Sequence, residues 1–275
     1  MVKSKYSFDH RKLARFLKEG RGKGTGADYI PWLKVQDLSS RGRCSRITGW
    51  TTGRVHHLFS DLERDYFYHL EWADDVVDIR EQFPLLPLNE TVTLAEDSGI
   101  RHPMDTRSKV EIPLTTDFLI TVKRAGEILT VARTVKPWRE LQKKRTLEKF
   151  ELERRYWLSK NVDWGIVTEN EISTTVAHNV KSLHSLKNQG ISEDSLEIQR
   201  ALLIQVELQN FSTLSQMLEH IDSKFNRDSG TGLAIFKNLL AKKVICFDVT
   251  IRFDESSPLM AFSVRSEILG NELVI

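Results

Sequence analysis

The chain has 275 residues, 40% hydrophobic and 28% charged, which is an ordinary globular composition with enough apolar material for one large or two smaller cores. No apolar run approaches the roughly 18 residues needed to span a bilayer, and the basic start lacks an apolar signal core. We therefore expect no membrane association and a cytoplasmic location in a prokaryote-like cell. The two cysteines, Cys44 and Cys246, exclude a disulfide framework and a cysteine-rich zinc site.

The net charge of +2 conceals an uneven distribution. The first 60 residues hold 13 lysines and arginines against 4 acidic residues, whereas the rest of the chain is acidic. A basic N-terminal arm predicts contact with a polyanion such as DNA through its phosphates, although basic solvated arms are also common. The candidate DNA-binding residues are Arg21, Lys23, Arg41, Arg43 and Arg54.

The sequence of the N-terminal arm predicts little regular structure beyond one short helix. Residues Phe8 to Lys18 form a short basic helix by their apolar spacing, and Ser39 to Arg46 read as a basic loop. The stretch GRGKGTG from Gly20 to Gly26 fails the Walker pattern because Lys23 is followed by glycine. It is predicted as a flexible basic loop that touches a nucleic-acid backbone, with a plain linker as the alternative.

A strong helix is predicted over Leu58 to Trp72, capped by Ser60 or Asp61. Glu63 falls at the margin of its apolar stripe, where a carboxylate can point into a site. The alternative is a surface glutamate paired with Arg64.

A strand over Val76 to Phe83 follows, ended by prolines. Asn89 to Lys109 is predicted as a long loop that closes over a substrate.

The central prediction is a hairpin. Leu114 to Val122 and Ile128 to Val135 are rich in β-branched and apolar residues and flank a polar, glycine-containing turn. Asp117 lies near the start of the first strand and Lys136 follows the second. Such a pair can hold a divalent metal and polarise a phosphate, as in a metal-dependent nuclease; an edge-strand charge and a solvated lysine are the alternative.

A charged helix over Arg139 to Lys160 and a strand over Val162 to Thr168 complete an α/β arrangement, a mixed sheet flanked by helices. In this interpretation Glu63 and Asp117 supply hard oxygen ligands for Mg²⁺, with Mn²⁺ as a substitute, and the Val135 carbonyl adds another ligand. Lys136 would orient or deprotonate the attacking water and offset developing charge.

The C-terminal third is less informative. Helices are predicted over Ser195 to His220 and Gly232 to Lys242, followed by a strand over Lys243 to Phe253 with a partner over Pro258 to Val264. The acidic balance of this region favours protein docking over base readout.

Several strings of the chain resemble the TnsA family of transposon endonucleases. The strings are KEGRGKGTGADYIPWL (18–33), GRVHHLFSDLE (53–63), DIREQFPLLP (78–87), DSGIRHP (97–103), TTDFL (115–119), VKP (135–137) and RTLEKFELERRYW (145–157). They cover roughly the first 170 residues densely.

The resemblance implies a restriction-endonuclease-like catalytic domain of the PD-(D/E)xK class over residues 1–168 and a winged-helix-like domain over 169–275. It also implies a Mg²⁺-dependent enzyme that nicks the 5′ ends of a transposon together with a TnsB-like DDE transposase and a TnsC-like AAA+ ATPase. The family's catalytic Glu, Asp and Lys correspond to Glu63, Asp117 and Lys136. A catalytically lapsed scaffold subunit and a stand-alone nuclease of the same fold remain alternatives.

One residue departs from the family pattern. Thr134 stands where the family often has Gln and the wider class has Glu, Asp or Gln. A threonine hydroxyl is a poorer metal ligand, so we predict weaker metal affinity, which is tested by measuring cleavage against magnesium concentration for the native protein and for Thr134→Gln. An unchanged magnesium dependence would reject this hypothesis.

Overall fold

The computed structural model describes residues 7–37, 43–188 and 194–266. The chain divides into two compact units between Ile172 and Ser173. Within these ranges, no helix is long and apolar enough to cross a membrane.

The first unit is built on two sheets. Strands β1 (Ser45–Thr48) and β2 (Val55–Leu58) form an antiparallel pair. The main sheet has four strands in the order β3-β4-β5-β6, which are β3 (Val76–Pro84), β4 (Thr115–Arg124), β5 (Glu127–Val135) and β6 (Asp163–Val167). The first three are antiparallel neighbours and β6 runs parallel to β5, so the predicted mixed sheet is confirmed.

Four helices belong to this unit: α1 (His10–Lys18), α2 (Asp61–Trp72), α3 (Leu88–Asp97) and α4 (Lys144–Ser159). Helix α2 packs on β4 through Tyr66, whose ring lies 5.5 Å from that of Phe118. Helix α4 packs through Tyr156 and Trp157 on a cluster that includes Leu119. Neighbouring strand residues point to opposite faces of a sheet, so the two helices cover opposite faces.

One loop prediction and one helix prediction for this unit need correction. The segment Asn89 to Lys109 is not an irregular loop, because α3 occupies its first part and buries Thr91 and Ala95. Helix α2 begins at Asp61 rather than Leu58, since Leu58 ends strand β2 and the Ser60 hydroxyl caps the helix, as predicted.

The glycine-rich stretch of the arm is anchored rather than flexible. Gly22 has φ +79°, and a Cβ there would collide with the Pro84 ring. The amide of Gly26 donates to Asp78 on β3 at 3.1 Å. The predicted basic loop after it differs too, because Ser45–Thr48 is strand β1 and residues 38–42 lie outside the described part of the chain.

The second unit consists of α5 (Thr174–His184), α6 (Asp194–Leu208), α7 (Leu214–Lys224) and α8 (Thr231–Ala241), followed by a short antiparallel pair. That pair is β7 (Ile245–Phe247) and β8 (Phe262–Val264). Its core includes Leu202, Met217, Phe236 and Leu240, each nearly or fully buried.

Two predictions for this unit were wrong in extent. The expected helix over Ser195 to His220 is broken into α6 and α7, because Gln209 adopts a left-handed conformation and Thr213 begins a new helix with a capping box to Gln216. The strand expected over Lys243 to Phe253 ends at Phe247. Asp248 then closes a turn by accepting from the Thr250 amide.

A buried ionic cluster joins the small sheet to the main one. Glu81 on β3 is almost fully buried and accepts from Arg54 through both oxygens and from His56 Nδ1 at 2.8 Å. Thr52 bonds the other ring nitrogen of His56 at 2.7 Å. Burial opposes ionisation of Glu81, yet His56 and Arg54 together lower the pKa of this carboxyl to about 2.

Removing this charge is expected to destabilise the first unit strongly. Glu81→Gln leaves the buried Arg54 guanidinium without a counter-charge, which typically costs about 3–5 kcal/mol of unfolding free energy. Because the pKa of Glu81 is depressed, its contribution is present above about pH 4.5 and is lost as the pH falls towards 2. Denaturant unfolding at pH 7 and at pH 3 measures both effects.

The matched control is Glu127→Gln, an exposed glutamate at the hairpin turn, which is expected to change stability by less than about 0.5 kcal/mol. Equal stability of Glu81→Gln and this control at pH 7 would contradict the role of the cluster.

Candidate active site

The N-terminus of α2 fixes the first carboxyl group. Ser60 Oγ accepts from the Glu63 amide at 3.0 Å and donates to Glu63 Oε1 at 3.1 Å, while the Phe59 amide donates to Oε2 at 2.9 Å. Sequence spacing placed Glu63 at the margin of the apolar stripe, and the structure buries it, with 7% of its surface exposed. The alternative of a surface ion pair with Arg64 is wrong, because Arg64 pairs with Asp61 and Asp65.

The second carboxyl group lies where the main sheet forks. The last partners along β4 and β5 are Phe118 and Arg133. Beyond them β4 continues beside β3, whereas β5 continues beside β6 as far as Val135. Asp117 stands at the fork and crosses it, since its Oδ2 accepts from the Val135 amide at 2.8 Å. We call this place the fork.

Asp117 is held on its other side as well. Gln82 Nε2 on β3 donates to Asp117 Oδ1 at 3.3 Å, and Gln82 itself has a positive φ of 49° within its strand. Such backbone conformations are uncommon for residues other than glycine and are found where surrounding structure fixes them. Both oxygens of Asp117 are therefore oriented before any ligand binds.

Lys136 follows directly after β5, and its amide donates to the Val167 carbonyl on β6 at 2.9 Å. The charges of Asp117 and Lys136 both act on the pKa of Glu63, so the three side chains that the sequence analysis singled out lie within electrostatic range of one another. Glu63 comes from a helix, Asp117 from one side of the fork and Lys136 from the other. Both Asp117 and Lys136 are half-buried.

Ionisation of the two carboxyl groups, Glu63 and Asp117, is unfavourable at this site. Burial, reinforced by the negative charge of Asp117, raises the pKa of Glu63 to about 8, although hydrogen bonds and Lys136 oppose the change. Burial also raises the pKa of Asp117, against the influence of Lys136 and of the Val135 amide. Two carboxyl groups with raised pKa values therefore lie near Lys136 at this site.

The donor set fits a small hard cation. Carboxylate and carbonyl oxygens are the ligands that Mg²⁺ and Mn²⁺ accept, and Mg²⁺ usually needs only one or two carboxylates with several waters. Glu63 and Asp117 provide the two carboxylates of such a set, and Asp117 is bonded to the Val135 amide. A cluster of three or more His, Cys, Asp or Glu side chains suited to a metal does not occur within the described ranges.

Sequence reasoning missed two polar residues next to the fork, Gln82 and Glu153. Glu153 on α4 has 3% of its surface exposed and accepts from the Thr116 hydroxyl at 2.7 Å and from the Thr134 hydroxyl. Burial raises the pKa of Glu153 to about 7, and the charge of Asp117 acts in the same direction. Glu153 was overlooked because it occupies one of many charged positions of a charged helix.

The five basic residues expected to contact DNA differ in their exposure to solvent. Lys23 and Arg43 are exposed, and Arg43 lies 3.6 Å from Asp61. Arg41 lies outside the described residues. The guanidinium of Arg21 is buried between Glu19 and Asp37 and stacks 3.5 Å above the Phe16 ring.

Arg54 is the counter-ion of Glu81, and its Nη2 also donates to the Ile79 carbonyl. Arg21 and Arg54 thus use their donors inside the protein, a placement that speaks against the direct phosphate contact expected from the sequence.

Comparison with known proteins matches both units of the chain. Residues 73–169 match the family model described as TnsA-like endonuclease N terminal, and residues 171–249 match TnsA endonuclease C terminal. The Transposon Tn7 transposition protein TnsA of Escherichia coli is 43% identical over 249 residues, which cover 90% of each chain. The chain belongs to the TnsA family of transposition endonucleases. The resemblance read from the sequence is thereby confirmed, and Asp117 and Lys136 both lie within the N-terminal match.

The raised pKa of Glu63 has a testable consequence for stability. Between its usual pKa of 4.5 and about 8 the folded state binds more protons than the unfolded state, so folding stability falls as the pH rises. The variant Glu63→Gln has no ionisable group at this position, so its stability does not fall with pH in this way. In the presence of a chelator at pH 8.5 it is expected to exceed the wild type by about 1–3 kcal/mol, since a tenfold change in an ionisation constant corresponds to about 1.4 kcal/mol.

At pH 5 the two proteins should be almost equally stable. Thermal or denaturant unfolding at both pH values measures the difference, with Glu127→Gln as the exposed control. Parallel pH profiles for Glu63→Gln and the wild type would show that Glu63 ionises normally.

Proposed function

We propose that this TnsA family member is a metal-dependent DNA endonuclease that nicks the 5′ ends of a transposon. The supporting observation is that Asp117 bonds the Val135 amide next to Lys136, while the charges of Asp117 and Lys136 both act on the pKa of Glu63, so that two carboxyl groups with raised pKa values lie near one lysine at the fork. An active site that binds a divalent cation and a phosphate needs this combination. The fold we assign to the first unit is the restriction-endonuclease-like PD-(D/E)xK class.

The chemistry divides among the residues by their position. Glu63 and Asp117, with the Val135 carbonyl, would hold the metal, which when bound supplies positive charge at the scissile phosphate and acidifies a water. Lys136 Nζ orients the attacking water and offsets the negative charge that develops on the phosphate. The hydrogen bonds to Asp117 from Gln82 and from the Val135 amide keep its carboxylate aimed without reorganisation.

The partners we propose follow from family membership. A TnsB-like DDE transposase would cut and join the 3′ ends, a TnsC-like AAA+ ATPase would regulate both activities, and transposon-end DNA would be the shared substrate. The second unit, with helices followed by a short strand pair, is proposed as a winged-helix-like module that docks protein partners. Lys23 and Arg43 remain the exposed basic candidates for phosphate contact.

The decisive test is cleavage of transposon-end DNA in Mg²⁺ with both partner proteins present. Asp117→Ala is expected to lower 5′-strand cleavage by at least about 100-fold, since it removes charge stabilisation made at the reacting phosphate. Lys136→Ala should do the same, while Lys123→Ala, an exposed lysine at the hairpin turn, should cleave normally.

Three outcomes separate the alternatives. Persistent 5′ cleavage by Asp117→Ala would reject the catalytic assignment, and absence of 5′ cleavage by the wild type with active partners would favour the lapsed scaffold subunit. Vigorous cutting by the protein alone would favour a stand-alone nuclease.

A further inference from the structure

A buried carboxyl group on the α4 side of the fork has no part in the chemistry above. Glu153 is 3% exposed, comes from the middle of α4 and accepts hydrogen bonds from two threonines on different strands. Thr116 precedes Asp117 on β4, and Thr134 precedes Val135 on β5. Glu153 therefore joins the two strands one residue before each site group.

Both threonine hydroxyls bond the same oxygen of Glu153. Glu153 Oε1 receives the Thr116 hydroxyl at 2.7 Å and the Thr134 hydroxyl, and Trp157 Nε1 donates to Thr116 Oγ1 at 2.6 Å. Each threonine hydroxyl has a single hydrogen, so both donate in one fixed direction. This fixes the two side chains although the strands no longer bond each other as a regular ladder here.

Packing alone does not explain a carboxyl group at this position. Helix α4 already packs through Tyr156 and Trp157 on Leu119 and Ala132, which an apolar residue at position 153 would extend. A buried carboxyl group costs free energy unless its hydrogen bonds compensate for the lost water. The hydrogen bonds of Glu153 go to the fork, where β4 and β5 part. They therefore hold the two strands at a particular spacing.

We propose that Glu153 is a positioning residue: by tying Thr116 to Thr134 across the fork, it sets the distance between the Asp117 carboxylate and the Val135 carbonyl and so the affinity of the site for a divalent cation. This inference rests on the proposed function. It also assigns Thr134 a role of its own, because its hydroxyl donates to Glu153 from the strand position where the wider class carries a metal ligand.

The test compares variants that keep or remove the acceptor. Glu153→Gln retains an amide oxygen in nearly the same shape, whereas Glu153→Leu removes it, and Thr134→Val removes one donor while leaving Thr116. Mn²⁺ binding to the full-length protein is measured by calorimetry, and the Mg²⁺ concentration for half-maximal 5′ cleavage is measured with the partner proteins. Loss of a residue that orients a metal ligand typically weakens metal binding about 10–100-fold.

Glu153→Leu is therefore expected to raise the Kd for Mn²⁺ and the half-maximal Mg²⁺ concentration by about 10–100-fold, and Thr134→Val by a smaller factor in the same direction. Glu153→Gln should stay within about 3-fold of the wild type, because its oxygen accepts both hydroxyls. A merely structural role would lower the unfolding temperature of Glu153→Leu and leave the metal dependence of both variants unchanged. Thr134→Val keeps the test decisive if Glu153→Leu does not fold.

Asp117→Ala, measured in parallel, distinguishes the two proposals. Wild-type Mn²⁺ affinity in Glu153→Leu and Thr134→Val, with loss of binding in Asp117→Ala, overturns the positioning role alone. Undiminished Mn²⁺ binding by Asp117→Ala overturns the metal site at the fork and the positioning role together.

Discussion

The hydrogen bond from the Val135 amide to Asp117 is the contact on which the candidate site depends. It forms where the ladder between β4 and β5 ends after Phe118 and Arg133, so a side chain takes over from the backbone partner that Val135 would have had. A backbone amide inside a protein needs an acceptor. Because Asp117 satisfies that need, β4 and β5 can part at this point without leaving the Val135 amide unpaired.

The same geometry places carboxyl groups where their ionisation costs free energy. Glu63, Asp117 and Glu153 are three carboxyl groups with raised pKa values around one edge of a sheet, and each is held by hydrogen bonds that fix its direction. A protein that maximised its stability would replace them by neutral or apolar side chains. Their presence is understandable if an added cation provides the missing charge, which is the usual trade between stability and activity at functional sites.

Sequence patterns were sufficient for the central hairpin and for the helix that carries Glu63, because β-branched strands, a glycine-containing turn and a capped amphipathic helix are local signals. They were insufficient where tertiary contacts decide. Helix α3 was hidden in a polar segment, since only Thr91 and Ala95 are buried. The fork, Gln82 and Glu153 were invisible for a related reason: each is defined by partners more than 30 positions away or on another element.

The basic arm shows how a correct charge count leads to an incomplete picture of contacts. Its excess of lysines and arginines is real, yet two of the arginines expected to face DNA are buried partners of acidic residues within the first unit. Arginine is suited to both tasks, because its planar guanidinium forms paired hydrogen bonds with carboxylates as readily as with phosphates. Here Arg54 neutralises Glu81 beside the β3 strand that also supplies Gln82 to Asp117. These arginines of the arm therefore act inside the first unit, and among the described candidates Lys23 and Arg43 are the ones with exposed side chains.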